Sequence, residues 1–295
     1  MARLAVLGRR ASWHVAQIAL ACGRRGVECD VLPVQAIAAA VGDGGRSSGV
    51  RAGGTPLDAY DAVLVRALPA GSLEQVVFRM DALHRLARHG VRVVNHPAAL
   101  ERTVDKFYTS ALLEEAGIPT PATRVVQGFA EAMEAFLAMG DVVLKPLFGS
   151  EGRGMVRLAD PDTAYRVLRA WEGIGAVFYM QEFVPHGGRD VRALVVGGEV
   201  VAAIERRAEG WKTNVAAGGR AVPFALPAGW ADLAVRAAAA VGAEHAGVDL
   251  LPAPGGRVLV HEVNGIPGWR GLQQATGVDV ADVLVGHVLG RRRAV

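Results

Sequence analysis

The segment Gly247-Val-Asp-Leu-Leu-Pro-Ala-Pro-Gly-Gly-Arg-Val-Leu-Val-His-Glu-Val-Asn264 predicts two short strands joined by a turn rich in proline and glycine. Asp249 lies on the first strand, and Glu262 and Asn264 lie on the second. Residues two apart in a strand face the same side, so Glu262 and Asn264 share a face, and the turn brings them beside Asp249. Two carboxylates and an amide oxygen suit a hard cation such as Mg²⁺, which also keeps waters and binds phosphates. The segment therefore predicts a magnesium site on a sheet.

The alternative interpretation of this segment is a solvated strand end with incidental acids. The apolar neighbours of the three residues argue against it, because they imply burial and a buried carboxylate needs a partner. These neighbours are Val248, Leu250, Val260 and Val263.

A glycine-rich segment, Gly149-Ser-Glu-Gly-Arg-Gly154, follows a predicted strand that ends at Lys145. Its spacing matches neither a dinucleotide fingerprint nor a P-loop, and it leads into another strand instead of a helix. We expect a flap in which the backbone N–H groups of Gly149, Gly152 and Gly154 bind phosphates, with Lys145 adding positive charge. An ordinary glycine-rich hairpin is the alternative.

Lysine is rare in this chain, because only Lys106, Lys145 and Lys212 are lysines among 32 basic residues. Arginine fills the other positions, so the lysines mark places where a compact, flexible ammonium suits better than a planar fork. All three lie in segments that resemble nucleotide-binding motifs, although chance retention is the alternative for any one of them.

The bulk composition indicates a tightly packed α/β protein of two or three domains, since the chain has 295 residues and is 51% hydrophobic. A net charge of +3 without a basic, aromatic-rich stretch argues against nucleic-acid binding. Cys22 and Cys29 fit no zinc pattern. The N-terminus has no cleavable signal, and no apolar run reaches about 18 residues. We therefore expect a soluble, cytoplasmic protein that does not bind membranes.

The order of predicted strands and helices divides the chain into three parts. Residues 1–97 alternate strands with helices and predict a parallel βαβ domain; residues 98–184 and 185–295 predict two α+β lobes. Residues 42–57 are rich in Gly, Ser and Pro and predict a mobile surface loop. The predicted strands span residues 4–7, 27–32, 62–65, 91–94, 123–126, 142–145, 155–158, 177–183, 190–196, 199–206, 247–251 and 258–263, and the predicted helices span 12–25, 72–88, 104–116, 130–138, 162–170, 230–241 and 278–289.

The Gly197-Gly198 dipeptide predicts a tight hairpin between two of these strands. Asp190 and Arg192 then share one face of the hairpin. With a simple two-residue turn, Arg192 lies diagonal to Glu205, so an ion pair between these two side chains is the structural alternative to a role in the site.

Taken together, the order of motifs resembles the ATP-grasp superfamily, and most closely the branch of the ribosomal-protein glutamate ligase RimK. The shared motifs are Asp105-Lys106, Lys145 with its flap, Gln181-Glu-Phe-Val184, Arg189-Asp-Val-Arg192, Lys212-Thr-Asn214, Val248-Asp-Leu-Leu251 and Glu262-Val-Asn264. Two short segments, Trp13-His14 and Pro267-Gly-Trp-Arg-Gly-Leu-Gln273, are similar to the tetrahydromethanopterin glutamate ligase group.

The resemblance implies an ATP-grasp fold, in which a βαβ domain precedes two lobes that enclose ATP. It also implies a role for each matching residue. Lys106 and Lys145 would contact the phosphates of ATP, Glu182 and Phe183 would contact the adenine, and Asp190 would contact the ribose. The phosphates and the reacting carboxylate would also be contacted by Lys212, Thr213 and Asn214. Two Mg²⁺ ions, with Mn²⁺ as an alternative, would be held by Asp249, Glu262 and Asn264, and the catalytic candidates are Arg192, Arg206 and Asn214. Lys212 departs from relatives of the ribosomal-protein ligase, which have arginine there.

The implied activity is an ATP-dependent carboxylate–amine ligase that forms an amide through an acyl phosphate. Addition of L-glutamate to a tetrahydromethanopterin-type cofactor is the preferred reaction, and glutamylation of a protein C-terminus or carrier protein is the alternative. A non-catalytic nucleotide-binding module on the same fold remains a further hypothesis, as does a homo-oligomer. A dehydrogenase is disfavoured because the segment from Leu7 to Ala11 lacks the glycines that a pyrophosphate requires.

Overall fold

Four parallel strands at the start of the chain form the first sheet of the computed structural model, which describes residues 1–42, 44–149, 152–213 and 218–290. The strands are short and mostly buried, as expected for a parallel sheet covered on both faces. Helices α1 (Trp13–Arg24) and α2 (Leu73–Arg88) connect them. The strands are β1 (Arg3–Leu7), β2 (Glu28–Leu32), β6 (Ala62–Val65) and β7 (Arg92–Val94), in the order β2-β1-β6-β7.

The predicted mobile loop at residues 42–57 is wrong for its second half, residues 50–57, which form strands and a short turn. A small antiparallel sheet occupies this region, made of β3 (Ile37–Ala39), β4 (Val50–Ala52) and β5 (Thr55–Pro56). Val50 and Ala52 alternate with Arg51, and both are fully buried in the core that also contains Leu57. Glycine and proline therefore mark tight turns between buried residues here.

The predicted helix over residues 104–116 corresponds to α4 (Lys106–Glu115), and a separate helix that the sequence did not predict, α3 (Pro97–Val104), precedes it. Asp105 separates them in an extended conformation, and its carboxylate accepts a hydrogen bond from the backbone N–H of Tyr108 at 3.0 Å. Aspartate favours this capping position because its side chain satisfies an N–H that lacks a helical partner. The cap places Lys106 at the first turn of α4.

The second sheet is antiparallel and has two distinct faces. Helices α5 (Phe129–Met139) and α6 (Pro161–Gly173) cover one face, where Phe136, Leu144 and Leu168 share a core. The alternate residues Val143, Lys145 and Gln181 face a cleft. Its strands are β8 (Thr123–Val126), β9 (Val142–Lys145), β10 (Val156–Leu158) and β11 (Phe178–Glu182), in the order β10-β9-β11-β8.

The third sheet is antiparallel and contains the segment from Gly247 to Asn264. Helix α7 (Ala228–Ala240) covers one face with Leu233, Ala234 and Ala237. Gly197 and Gly198 both have positive φ, and Val196 pairs with Glu199, so the predicted two-residue turn is confirmed. The strands are β12 (Arg189–Val196), β13 (Glu199–Arg207), β14 (Arg220–Pro223), β15 (His245–Pro252) and β16 (Val258–Asn264), in the order β14-β13-β12-β15-β16.

The last helices, α8 (Arg270–Thr276) and α9 (Val280–Gly290), return to the first sheet. Leu284 and Val288 of α9 share one core with Leu4 and Ile18 near the N-terminus. Ion pairs from α1 to the α9 region reinforce this contact; they join Arg24 to Asp279 and Arg25 to Asp282. Each sheet falls within one of the three predicted segments, whereas the boundaries at residues 97 and 184 stay a prediction.

Candidate active site

A cleft between the second and third sheets gathers most of the residues that the sequence singled out. The strands of the second sheet supply one wall, and β16 with the segment after β13 supplies the other. The lining includes Lys106, Lys145, Gly149, Gly152, Glu182, Phe183, Asp190, Lys212, Thr213 and Glu262. Asn214 lies outside the described residues. Gly154 has a positive φ and is not among the described residues that line the cleft; a Cβ placed on it would lie 2.9 Å from Pro146 Cγ.

The chain's three lysines meet at this cleft. Lys106 Nζ donates to the Gly149 carbonyl at 2.8 Å, and Lys212 Nζ donates to the Met155 carbonyl at 2.8 Å. Both therefore hold the two ends of the glycine-rich segment. The scarcity of lysine in the sequence thus corresponds to one place in the structure.

Lys145 is the most deeply buried of the three lysines. Its Nζ donates to Gln181 Oε1 at 2.6 Å, and Gln181 in turn donates to the Tyr179 hydroxyl at 3.1 Å. The pKa of Lys145 is lowered to about 8, mainly by burial; the negative charge of Glu262 opposes the shift, and the positive charge of Lys106 adds to it. An ammonium that is held by neutral partners in a buried position is suited to receive an anion.

A β-bulge decides which residue faces Asp190. Leu194 pairs with Ala202 but Val195 pairs with Val200, so one extra residue shifts the register and Asp190 lies opposite Arg206 instead of Glu205. Arg206 donates two hydrogen bonds to Asp190, at 2.7 and 2.5 Å.

Asp190 is therefore not free on the cleft wall, as the predicted ribose contact would require. It also accepts from Thr213 Oγ1 at 2.7 Å. Burial opposes the ionisation of Asp190, but His261 and Arg206 outweigh it and hold the pKa of the carboxyl below its ordinary value.

The ion pair between Arg192 and Glu205, considered as the structural alternative, is wrong. The bulge moves Glu205 opposite Val191, and Glu205 pairs with Arg189 and Arg207 instead. Arg192 lies opposite Asp249 on β15 and donates to both of its carboxylate oxygens at 2.6 Å. Arg206 approaches the same carboxylate at 3.0 Å, so two arginines neutralise a fully buried Asp249.

The predicted metal residues lie side by side on the third sheet. Asp249 pairs with Glu262, and Asn264 pairs with Gly247. Glu262 lines the cleft, and its negative charge acts on both Lys106 and Lys145. Asn264 Nδ2 is buried without a hydrogen-bond partner among the described residues, and the oxygen and nitrogen of this amide are interchangeable by rotation.

This donor set fits Mg²⁺ because the ion prefers a few carboxylate and carbonyl oxygens. Glu262 offers a carboxylate that lines the cleft, and Asn264 Nδ2 makes no hydrogen bond within the described residues. Asp249 would have to share its oxygens with Arg192 and Arg206, so Glu262 and Asn264 meet the requirement better than Asp249 does.

His261 is a site residue that the sequence analysis missed. A second β-bulge, on β16 opposite Asp249 and Leu250 of β15, leaves His261 unpaired, so it and Glu262 both line the cleft. Its Nε2 is buried without a hydrogen-bond partner in the part of the chain that is described, and it lies 3.9 Å from Asp190 Oδ2. In a regular strand, consecutive residues face opposite sides of the sheet. The bulge interrupts this alternation, so that both His261 and Glu262 can line the cleft.

The predicted adenine segment forms the far end of the cleft. Glu182 accepts from the Ala122 N–H at 3.1 Å, while Phe183 N–H donates to the Asp141 carbonyl at 2.9 Å. The Arg157 guanidinium lies 3.5 Å from the centre of the Phe183 ring. The segment is thus fixed from two sides and offers a flat apolar surface to the cleft.

The RimK-like ATP-grasp domain family matches residues 103–288. The chain belongs to this family. The sequence-based resemblance and the ATP-grasp fold are therefore confirmed, and the match begins near α4 and includes every residue of the cleft described above.

Relatives of known name resemble most of the chain. A tetrahydromethanopterin:alpha-L-glutamate ligase of Methanosarcina acetivorans is 34% identical over 269 residues, covering 81% of this chain and 82% of that protein. The ligase of the same name from Methanocaldococcus jannaschii is 37% identical over 240 residues, covering 79% and 80%. A probable alpha-L-glutamate ligase of Sodalis glossinidius is 36% identical, covering 81% and 80%.

Solved ATP-grasp structures share the fold over almost the whole chain. The ligase PsnB with its minimal precursor superposes with a TM-score of 0.78 at 22% identity, covering 98% of this chain and 99% of PsnB. A RimK-domain ATP-grasp protein of Sphaerobacter thermophilus gives 0.73 at 25% identity, covering 98% and 100%. The RimK-like ATP-grasp chain is an ATP-dependent ligase that forms carbon–nitrogen bonds, and such ligases use ATP and Mg²⁺. No helix in the described ranges has the length and apolar character needed to cross a membrane.

Proposed function

We propose that this protein joins L-glutamate to a tetrahydromethanopterin-type pterin cofactor with the hydrolysis of ATP to ADP and phosphate. The observation that carries the ligase chemistry is the convergence of Lys106, Lys145, Lys212 and Glu262 on one cleft between two sheets. The choice of substrates is supported by the relatives that act on glutamate and tetrahydromethanopterin and that resemble four fifths of the chain.

Amide formation from a carboxylate requires a leaving group, which ATP supplies. A carboxylate oxygen of the acceptor attacks the γ-phosphorus, ADP leaves, and an acyl phosphate forms; the glutamate amine then displaces phosphate. Negative charge accumulates on the phosphoryl oxygens during transfer, so preorganised cations give the main stabilisation. In this chain Lys106, Lys145 and Lys212 are the cations placed to provide it.

Glu262 and Asn264, with Asp249, would hold Mg²⁺ in this proposal, and the bound ions would neutralise charge on the phosphates. Two ions, with Mn²⁺ as a substitute, remain part of the proposal. Arg192 and Arg206 are kept in place by Asp249 and Asp190, so they act as fixed positive groups beside the metal residues. In this arrangement Asp190 mainly holds Arg206 in place. A contact with the ribose would use the hydrogen-bond acceptor capacity that remains on the Asp190 carboxylate.

An acyl phosphate must be protected from water, which would otherwise hydrolyse it. Lys106 and Lys212 contact carbonyl groups on either side of the glycine-rich segment, at Gly149 and Met155. In the proposal, phosphate binding engages these lysines and the segment together and covers the reacting groups. Since the chemistry consumes ATP, we place the enzyme in the cytoplasm.

The alternative acceptor is the C-terminus of a protein or carrier protein. It is kept because the relatives named probable alpha-L-glutamate ligase share glutamate, but not the pterin, with the first alternative. The two alternatives share the cleft and differ in the acceptor alone.

Measurement of ADP release tests the proposal directly. The purified protein is mixed with MgATP, L-glutamate and tetrahydromethanopterin, and the pterin product is examined by mass spectrometry. We expect glutamate-dependent ADP release and a product enlarged by glutamyl residues. ADP release with a carrier-protein acceptor but not with the pterin would establish the alternative, and nucleotide binding without turnover for any acceptor would indicate a non-catalytic module.

A further inference from the structure

Arg66, directly after β6, carries a guanidinium that has no anionic partner among the described residues. Part of the residue is exposed, but its Nε and Nη1 are buried and make no hydrogen bond within the described residues. Nη2 donates to the Pro267 carbonyl at 2.8 Å, and the guanidinium carbon lies 4.4 Å from the centre of the Trp269 ring. Burial lowers the pKa of Arg66 to about 9.

The groups around Arg66 are bases instead of acids. His14 Nε2 accepts a hydrogen bond from the backbone N–H of Trp269 at 3.0 Å. The His14 ring also packs edge-on against the indole, with ring centres 4.7 Å apart. Burial, followed by the charges of Arg66 and Arg270, lowers the pKa of His14 to about 4. His245 also packs edge-on against the indole, with ring centres 5.7 Å apart, and burial followed by the charge of Arg66 lowers its pKa well below the ordinary value.

Trp269 adds a further donor to this set, because its Nε1 is buried without a partner among the described residues. Trp269 itself is only 1% exposed. Its indole therefore belongs to the core and offers no exposed ring face for stacking. Three nitrogen donors, Nε and Nη1 of Arg66 and Nε1 of Trp269, thus lack acceptors among the described residues.

This group of residues lies next to the candidate active site. Arg66 follows the carboxyl end of a parallel strand, which is where open α/β sheets bind ligands. Pro267 lies between it and the active site: a Cβ placed on Gly247 would be 2.9 Å from Pro267 Cβ and 3.7 Å from Arg192 Nε. One loop, residues 265–269, therefore separates Arg66 from the Arg192–Asp249 pair.

We propose that Arg66 and Trp269 bind a substrate carboxylate that does not react. A buried guanidinium with free N–H groups is costly for the protein, and a carboxylate that accepts from Arg66 Nε or Nη1 offsets this cost with a charge-assisted hydrogen bond. The inference rests on the proposed function, since the carboxylate belongs either to the incoming glutamate or to the acceptor. The bound carboxylate fixes the position of that substrate relative to the cleft.

The first test measures melting temperature against L-glutamate and against glutarate at constant ionic strength. Wild-type protein, Arg66→Gln and Arg79→Gln are compared. Arg79, on the neighbouring helix α2, is a matched control. It is also buried, and it donates to a backbone carbonyl, that of Pro69. We expect carboxylate-dependent stabilisation in the wild type and in Arg79→Gln, with an apparent Kd about tenfold weaker or more in Arg66→Gln.

The same experiment also tests whether Arg66 has a purely structural role. Because the variant removes an unpaired buried charge, Arg66→Gln should melt at or above the wild-type temperature in the absence of carboxylates. Arg66→Lys, which keeps the charge but not the fork, should bind carboxylates more weakly than the wild type. Unchanged carboxylate stabilisation in Arg66→Gln, or no such stabilisation in the wild type, would overturn the proposal.

Kinetics then identify which substrate supplies the carboxylate. In Arg66→Gln the KM for L-glutamate or the KM for tetrahydromethanopterin should rise about tenfold while kcat changes much less. The KM that rises identifies the source, and two unchanged values contradict the inference. A wild-type protein that forms no ADP with these substrates would contradict the proposed function, whereas the melting experiment would still decide the carboxylate site.

Discussion

At the scale of single residues, Lys145 links burial to pH dependence. Its pKa is lowered to about 8 by burial, so the side chain is charged below that pH and neutral above it. Phosphates bind the charged form, and MgATP affinity should be constant up to about pH 7 and about tenfold weaker at pH 9. Calorimetric titration measures this, and Lys145→Ala should remove most of the dependence. A wild-type affinity that does not change with pH would contradict the assignment.

The same residue has the opposite effect on the stability of the unliganded protein. The pKa of Lys145 is lower in the folded state than in the unfolded state, so the unfolded chain binds more protons between about pH 8 and about pH 10.4. The contribution of Lys145 to the free energy of unfolding therefore rises with pH across this window.

Replacement of Lys145 by arginine should not preserve nucleotide binding. Nζ fits a buried position 2.6 Å from Gln181 Oε1, and a larger planar group cannot occupy it without moving β11. We expect Lys145→Arg and Lys145→Ala to weaken MgATP binding to a similar degree, by about tenfold or more. Arg166→Lys, on the exposed face of α6, is the control. Full affinity in Lys145→Arg would show that the scarcity of lysine carries no information here.

Glu262 should be essential for chemistry and dispensable for folding. The carboxylate lines the cleft next to Lys106 and Lys145, and Glu262→Gln keeps its shape while removing the charge that would bind Mg²⁺. Turnover should fall by a factor on the order of 10³, as for loss of a principal electrostatic group. The melting temperature without nucleotide should change little, because Asp249 is already neutralised by two arginines. Near-normal ADP release in this variant would remove Glu262 from the metal site.

At the scale of elements, the bulge in the β12–β13 hairpin creates the Asp190–Arg206 pair. Both side chains are about 3% exposed, so removal of one partner leaves the other charged and buried. Asp190→Asn or Arg206→Met should each lower the free energy of unfolding by about 3–5 kcal/mol. The double variant should be much less destabilised than the sum of the two, and chemical denaturation of all four proteins gives this coupling. Additive effects would show that the pair does not act as a unit.

The elements themselves were predictable where the signal was local. Gly197-Gly198 predicts its turn, and the apolar positions of α7 predict the helix, because turn geometry and helical period act within a few residues. The bulges at Val195 and Leu250 were not predictable, since a one-residue shift depends on pairing across the sheet. For this reason the sequence identified Asp190, Arg192 and Asp249 but not their partners, and it missed His261.

At the scale of the whole molecule, the N-terminal sheet and the C-terminal helices share one core. Leu4 and Ile18 pack in the same cluster as Trp269, Leu284 and Val288. The sequence predicts a domain boundary at residue 97, because the pattern of motifs changes there. Contacts between segments that are distant along the chain cannot be predicted from such a pattern. The ligase cleft and the Arg66 residue group are thereby held in a fixed relation by the two ends of the chain.

A shared core should make the protein unfold in a single cooperative transition. Leu284 is fully buried between α1 and the first sheet, so Leu284→Ala removes contacts with both and should destabilise the protein by about 2–5 kcal/mol. Differential scanning calorimetry should then show one peak that Leu284→Ala shifts down and MgATP shifts up, because ligand binding stabilises the whole cooperative unit. Leu137→Ala, at an exposed position of α5, serves as the control with little effect. Two separate peaks, of which MgATP moves one and Leu284→Ala the other, would instead establish that the N-terminal sheet unfolds independently of the cleft.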